Sequence, residues 1–167
     1  MTSILRHACL VLSAAFLIFP NAACANKQAQ PVLAQPLPQE TIIIETAEGQ
    51  DHSFDVEIAI KPEDQSRGLM VRSQMADNKG MLFVFDEEDD RMFWMRDTLI
   101  PLDMLFIGKD GVIRHIHHNA KPLDETHITS DKPAMAVLEI NGTLAGQLGI
   151  KEGDKIIHPA FRNAPIP

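Results

Sequence analysis

The polar side chains best suited to chemistry lie around the only tryptophan of the chain, in residues 94–98 (Trp-Met-Arg-Asp-Thr). In an extended strand Trp94 and Arg96 face one side, and Met95 and Asp97 face the other. A tryptophan beside an arginine offers a platform for a sugar ring or a cationic group, and arginine binds carboxylates and phosphates bidentately. The pattern predicts a site for a small polar or anionic ligand. Six residues are assigned to this ligand-binding site: Arg72, Trp94, Arg96, Asp97, Asp103 and Glu139.

Two other roles remain open for these residues. In a structural role, Arg96 pairs with Asp103 or Glu139 and Trp94 fills the edge of the core. In a catalytic role, two of the three carboxylates would form a hydrolytic pair, about 5 Å apart or roughly 6.5–9.5 Å apart, with one raised pKa. The chain has no G-x-S-x-G elbow, no P-loop and no G-x-G-x-x-G after a strand. No catalytic residue is therefore assigned, and no cofactor is expected.

A histidine cluster raises a different possibility, which is periplasmic handling of copper or zinc. His115 and His117 share one face of a predicted strand, and His127 could reach them from a loop. Imidazoles together with soft thioethers suit copper, and a zinc site needs three or four ligands. The alternative is that these histidines are exposed and bind no metal. We therefore keep His115, His117 and His127 as the candidate metal ligands.

The first 25 residues resemble a secretory signal peptide. Arg6 precedes an apolar run of about a dozen residues, and Ala23 and Ala25 form an Ala-x-Ala end. A membrane span needs about 20 residues, so we expect cleavage near Ala25, a periplasmic or secreted protein, and no transmembrane span in the mature chain. An alternative is a lipid anchor at Cys24, because Ala-Ala-Cys resembles the end of a lipoprotein signal.

Composition narrows the possible partners. Both cysteines, Cys9 and Cys24, lie in the predicted signal peptide, so the mature chain would have neither disulfides nor thiol chemistry. The 23 acidic residues outnumber the 15 lysines and arginines, which opposes nucleic-acid binding because that needs many basic contacts to phosphate. We expect a small polar ligand or an envelope protein as partner, and no nucleic acid.

Short apolar runs separated by turn residues predict a mainly β fold, a compact antiparallel sandwich or barrel with two short helices. Residues 26–40 are a predicted flexible linker, 41–160 a single globular domain and 161–167 a tail. Residues 41–46 and 52–61 predict one hairpin, and 102–107 and 112–117 predict another. The remaining predicted strands are 81–85, 92–96, 135–141 and 155–158, with helices at 62–68 and 143–148 and a solvated hairpin tip at the acidic residues 86–90.

Four segments carry a more specific pattern: residues 67–72 (Arg-Gly-Leu-Met-Val-Arg), 80–83 (Gly-Met-Leu-Phe), 93–103 and 133–154. In order and spacing they resemble the domain-of-unknown-function family 192 (DUF 192), over roughly Thr41 to Ile157. The resemblance implies a compact, mostly β domain that is often exported, and it implies no established activity. Members commonly carry Asn where this chain carries Asp97.

Overall fold

The computed structural model describes residues 36–161 and 163. The predicted signal peptide, Cys24 and most of the predicted linker lie outside these residues. The described strands are β1 (Gln39–Glu45), β2 (Asp51–Ala59), β3 (Lys79–Asp89), β4 (Met92–Phe93), β5 (Leu102–Ile107), β6 (Ile113–Ala120), β7 (Ile128–Thr129), β8 (Ala134–Asn141) and β9 (Lys155–Ile157). The helices are α1 (Pro62–Arg67) and α2 (Leu144–Gln147), and a 3-10 turn covers Pro159–Phe161.

Seven of these strands form one curled sheet in the order β6-β5-β8-β3-β2-β1-β9. The curl brings the two edges together at one end, where Val112 bridges to Lys155 and Ile113 N–H donates to the Asp154 carbonyl at 2.9 Å. The sheet is thereby half of a barrel. Strands β4 and β7 pair separately. The prediction of a mainly β fold with two short helices is confirmed.

One strand pair differs from an all-antiparallel sheet. Strands β2 and β3 are parallel, with Asp55 opposite Lys79 and Ala59 opposite Phe83. Parallel neighbours need a crossover of a dozen or more residues, and residues 60–78, which contain α1, supply it. Helix α1 begins at Pro62, as the proline and the following acids predict.

The two faces of the sheet bury separate apolar clusters, because neighbouring side chains on a strand point to opposite sides. The first core contains Leu82 and is closed by α2. The second core contains Met81 and Phe83, on the opposite face of the same strand. It is covered by the segments around residues 69, 95 and 128. The candidate site lies in this second core.

Two predicted boundaries are wrong for local reasons. The strand predicted at 92–96 ends at Phe93, because the Met95 N–H donates to the Asp124 carbonyl and Asp97 takes a left-handed φ of 54°. The acidic residues 86–90 do not form a hairpin tip, since β3 runs to Asp89 with an irregularity after Val84. The domain limits stay a prediction, although β1 begins at Gln39 and the buried Phe161 packs in the first core.

Within the described part of the chain, no helix has the length and apolar character that a membrane crossing requires.

Candidate functional site

The most unusual polar group of the second core is the carboxyl group of Glu139. Glu139 lies on β8, with Met81 of β3 and Met104 of β5 directly opposite on either side, and it is 4% exposed. Among residues 36–161 and 163 no side chain or backbone group donates a hydrogen bond to it or forms an ion pair with it. Burial raises the pKa of Glu139 to about 8. At neutral pH this side chain is therefore largely a neutral acid that can donate a hydrogen bond.

Glu139 is part of the wall of a pocket of about 430 Å³. This volume falls in the range of small-molecule sites. One wall comes from α1 and the turn that follows it, residues 62–70, and the other from the middle of β3 and from residues 90–94, which include β4. Four aromatic residues line the pocket: Phe83, Phe85, Phe93 and Trp94. The site thus combines an aromatic lining with polar and charged side chains, and Glu139 is the buried acid among them.

Two residues of the α1 segment hold the first wall in place. The Gln65 amide donates to the carbonyl oxygens of Ala59 and Val84, at 3.3 and 2.9 Å, which fixes the helix across β2 and β3. Gly68 ends the helix at φ 48° and ψ −136°, a conformation nearly restricted to glycine. The chain then reverses so that Leu69 enters the second core.

Two arginines lie over aromatic rings that line this pocket. The Arg91 guanidinium lies 3.9 Å from the centre of the Phe85 ring, and its Nε donates to the Ala134 carbonyl at 3.0 Å. Its Nη2 donates to the Glu87 carbonyl. The Arg96 guanidinium lies 3.7 Å from the centre of the Trp94 ring, although both residues lie beyond the end of β4. Arg96 also approaches the Glu125 carboxylate at 3.4 Å.

A strained turn adjoins the pocket mouth. Val71 (φ 57°), Asp97 (φ 54°) and Leu123 (φ 61°) all adopt left-handed backbone conformations. The Val71 N–H donates to the Asp97 carbonyl at 2.8 Å, and the Leu123 N–H donates to the Thr98 carbonyl at 3.1 Å. A left-handed valine is rare and marks a position that tertiary contacts impose. Asp and Asn tolerate this conformation, which gives a physical reason for the Asn that the resemblance expects at position 97.

The predicted ligand-binding residues fall in different places. Trp94 and Glu139 line the pocket, with Arg96 stacked on the first. Arg72 instead forms a bidentate ion pair with Glu57, at 2.6 and 2.7 Å. The exposed Asp97 lies in the strained turn. As a set, these residues remain a predicted site that the structure brings together only in part.

Asp103 has a structural environment. Its carboxylate is fully buried and accepts backbone N–H groups of Asn119, Thr143 and Ala145, at 2.7, 2.9 and 2.8 Å. It lies opposite Ile140, whereas its neighbour Met104 lies opposite Glu139. Asp103 and Glu139 therefore point to opposite faces of the sheet and do not form the hydrolytic carboxylate pair considered above.

The histidines are not gathered into one site. The His115 Nδ1 lies 3.0 Å from Glu152 and its Nε2 3.7 Å from Asp131, so its two nitrogens face different carboxylates. Burial, followed by repulsion from His115 and His118, lowers the pKa of His117. His127 lies beside Trp94 instead. Among residues 36–161 and 163 no three His, Cys, Asp or Glu side chains come close enough to hold a metal ion.

Sequence reasoning missed most of the pocket. Arg91 follows the acidic residues 86–90 and no sequence pattern singles it out, and the role of α1 as a wall depends on the parallel β2–β3 pairing. A carboxylate within the apolar run of residues 134–140 was the available signal for Glu139, because an unpaired acid inside a core strand needs an explanation.

Comparison with known proteins identifies relatives of this fold and sequence. A proposed transcription regulator from Sinorhizobium meliloti 1021 matches with a TM-score of 0.74 and 43% identity, over 75% of this chain and 97% of that one. A protein of unknown function from Novosphingobium aromaticivorans DSM 12444 matches with a TM-score of 0.71 and 42% identity, over 77% and 90%. No curated protein matches the chain. The family model DUF192, described as an uncharacterised ACR, covers residues 43–158. The chain therefore belongs to the DUF192 family.

Proposed function

We propose that this protein is a non-catalytic binding module of the cell envelope, and that the Glu139 pocket is its site for a small polar or anionic ligand. The envelope location comes from the signal-like residues 1–25 and, in the alternative form, from a lipid anchor at Cys24. The proposed site is this one concave surface, which includes Trp94 and Glu139, and not the whole set of six predicted residues.

The observation that carries this proposal is the unpartnered Glu139 carboxyl group in the pocket wall. Within the described residues the carboxyl group has neither a hydrogen bond nor an ion pair, whereas buried polar groups in proteins are normally hydrogen-bonded. Among these residues the one fully enclosed side-chain polar atom without a partner is Nε2 of His52, so the Glu139 oxygens are open to the pocket. A buried acid with a perturbed pKa in a concave site is a common property of functional sites, and a ligand that hydrogen-bonds Glu139 would supply the missing partner.

The competing functions have weaker support. A hydrolase would need a second carboxylate near Glu139, and Asp103 points to the other face of the sheet. Copper or zinc handling would need His115, His117 and His127 to converge on one ion, whereas they face different neighbours. The regulator name belongs to the Sinorhizobium protein, and the acidic balance of this chain argues against a DNA contact.

The test is a thermal-shift screen of the purified protein against sugars, organic acids, amides and amines. A ligand at about 100 times its Kd stabilises a protein by roughly 2.7 kcal/mol, which is a shift of several degrees. For a ligand found in this way, Glu139→Leu should weaken binding at least tenfold. The leucine removes the hydrogen-bonding group while suiting the surrounding core.

The matched control is Glu45→Leu, the same change on the exposed side of β1, which should leave the affinity as it was. In NMR spectra, the ligand should change the backbone amide chemical shifts most strongly at Phe83, Phe93 and Glu139. The Glu139 pocket is rejected as the binding site if no compound of the panel raises the melting temperature, or if the chemical-shift changes map to other residues.

A further inference from the structure

The charge distribution around the pocket differs from that of the whole chain. Acidic residues outnumber basic ones by 23 to 15 overall, yet the charged side chains that line the pocket are Arg67, Arg91 and Asp90. Glu139, the fourth ionisable group in the lining, is neutral at pH 7 for the reason given above. With Arg67 paired to Asp64, positive and negative charges around the pocket are balanced, in contrast to the acidic excess of the whole chain.

Arg91 is the cation of the pocket lining that has no carboxylate partner among the described residues. Its Nε and Nη2 donate to two backbone carbonyls and its guanidinium rests on Phe85, so the side chain is held in one position. Residues 86–90 are all acidic, but within the described chain no carboxylate forms an ion pair with Arg91. By contrast Arg67 pairs with Asp64 at 2.7 Å, and Arg72 pairs with Glu57. Arg91 is thus a fixed cation whose Nη1 is available to an anion.

The aromatic residues argue against a cationic ligand. An ammonium group would bind best over an aromatic face, but Phe85 and Trp94 already carry the guanidinium groups of Arg91 and Arg96. A ligand cation would have to approach those two like charges. The remaining lining, with Phe83, Phe93 and Met70, offers apolar surface to the body of a ligand.

We propose that the pocket selects a small organic monoanion: a carboxylate that pairs with Arg91 and accepts a hydrogen bond from Glu139, joined to an apolar body that lies against Phe83 and Phe93. This proposal rests on the proposed function, since it names the ligand class of the same site. One fixed arginine and one neutral acid match a single carboxylate group, which needs both a positive charge and a hydrogen-bond donor.

The test uses three probes of nearly the same shape and different charge: 3-phenylpropanoate, 3-phenylpropanamide and 3-phenylpropylamine. Their affinities for the purified protein are measured by calorimetry at pH 6.5. The carboxylate should bind at least tenfold more tightly than the amide, and the amine should bind least. An equal affinity of carboxylate and amide, or a preference for the amine, overturns the monoanion proposal and leaves the pocket as a binding site. If none of the three probes binds, the monoanion proposal is overturned. The proposed function is decided separately, by the ligand screen and the Glu139→Leu variant.

A matched pair of variants tests the role of Arg91. Arg91→Gln should reduce the carboxylate-to-amide affinity ratio to about 1, because it removes the positive charge on the protein that favours the carboxylate probe over the neutral amide. Arg114→Gln removes an exposed arginine that pairs with Asp110 on the β5–β6 hairpin, and it should leave the ratio unchanged. A ratio that survives in Arg91→Gln, or falls equally in Arg114→Gln, contradicts recognition by Arg91.

Discussion

At the scale of single residues, Glu139 makes stability depend on pH in a direction opposite to most carboxylates. Its pKa is raised from 4.5 to about 8 in the folded protein. Between these values the unfolded chain loses the proton while the folded protein keeps it, so the free energy of unfolding falls as pH rises. The change is fully developed above pH 8 and amounts to about 5 kcal/mol for 3.5 pH units.

We therefore expect Glu139→Gln to stabilise the protein at pH 8.5 by several kcal/mol relative to the parent, and to have little effect at pH 4.5. Glutamine cannot ionise, so the difference between the two proteins isolates Glu139 from other titrating groups such as His117. Urea unfolding of both proteins at pH 4.5, 6.5 and 8.5 measures this difference in the free energy of unfolding. A difference that does not grow with pH would show that the Glu139 carboxyl group is solvated or paired in solution.

At the scale of elements, Asp103 joins β5 to the start of α2. The three N–H groups bound by its carboxylate belong to β6, to the turn at Thr143 and to α2. Two of these positions, Asn119 and Thr143, have left-handed backbones, and the carboxylate compensates for that strain. The role assigned to Asp103 by the structure is therefore to hold a junction, on the face of the sheet opposite the pocket.

Asp103→Asn should lower the free energy of unfolding by about 3 kcal/mol, because the amide keeps one acceptor oxygen and turns an NH₂ group toward buried N–H donors. Asp110→Asn, at the exposed tip of the β5–β6 hairpin, should cost less than about 1 kcal/mol. Chemical denaturation of both variants provides the comparison. If Asp103 bound ligand instead, Asp103→Asn would alter probe affinity while costing no more stability than the control.

The sequence predicts elements well where the determinants are local. Alternation in residues 52–61 and the Asp110-Gly111 turn yield the two hairpins, which the structure contains. The parallel β2–β3 pair depends on contacts far apart in sequence, so no local pattern shows it. The same holds for the site: Trp94 and Arg96 are neighbours and their pairing is predictable, whereas Glu139, Arg91 and α1 meet only after the sheet has formed.

At the scale of the whole molecule, the curled sheet keeps two apolar cores on its opposite faces. The first core, with its long aliphatic strands and α2, closes one face. The second core leaves space beneath α1, and there the acid and the fixed arginine face a common pocket. The proposed ligand binding would involve one face of the sheet, while the other face maintains the fold.

The proposed binding of an anion would be coupled to the uptake of a proton. At pH 9 Glu139 is about 90% ionised when the pocket is empty, and an entering carboxylate favours its protonated form. The other charged side chains that line the pocket are Arg67, Arg91 and Asp90. His117, whose pKa is lowered, is neutral at pH 9.

Calorimetry of 3-phenylpropanoate in buffers of different ionisation enthalpy should therefore give an uptake of roughly 0.9 proton per ligand at pH 9, and nearly none at pH 6. The affinity should fall about tenfold between these pH values, since only the protonated protein binds. Glu139→Gln should abolish both the uptake and the pH dependence while retaining the preference for the carboxylate, because its amide still donates a hydrogen bond. Binding with no proton uptake at pH 9 would mean that the anion does not meet Glu139, and would place the charge recognition at Arg91 alone.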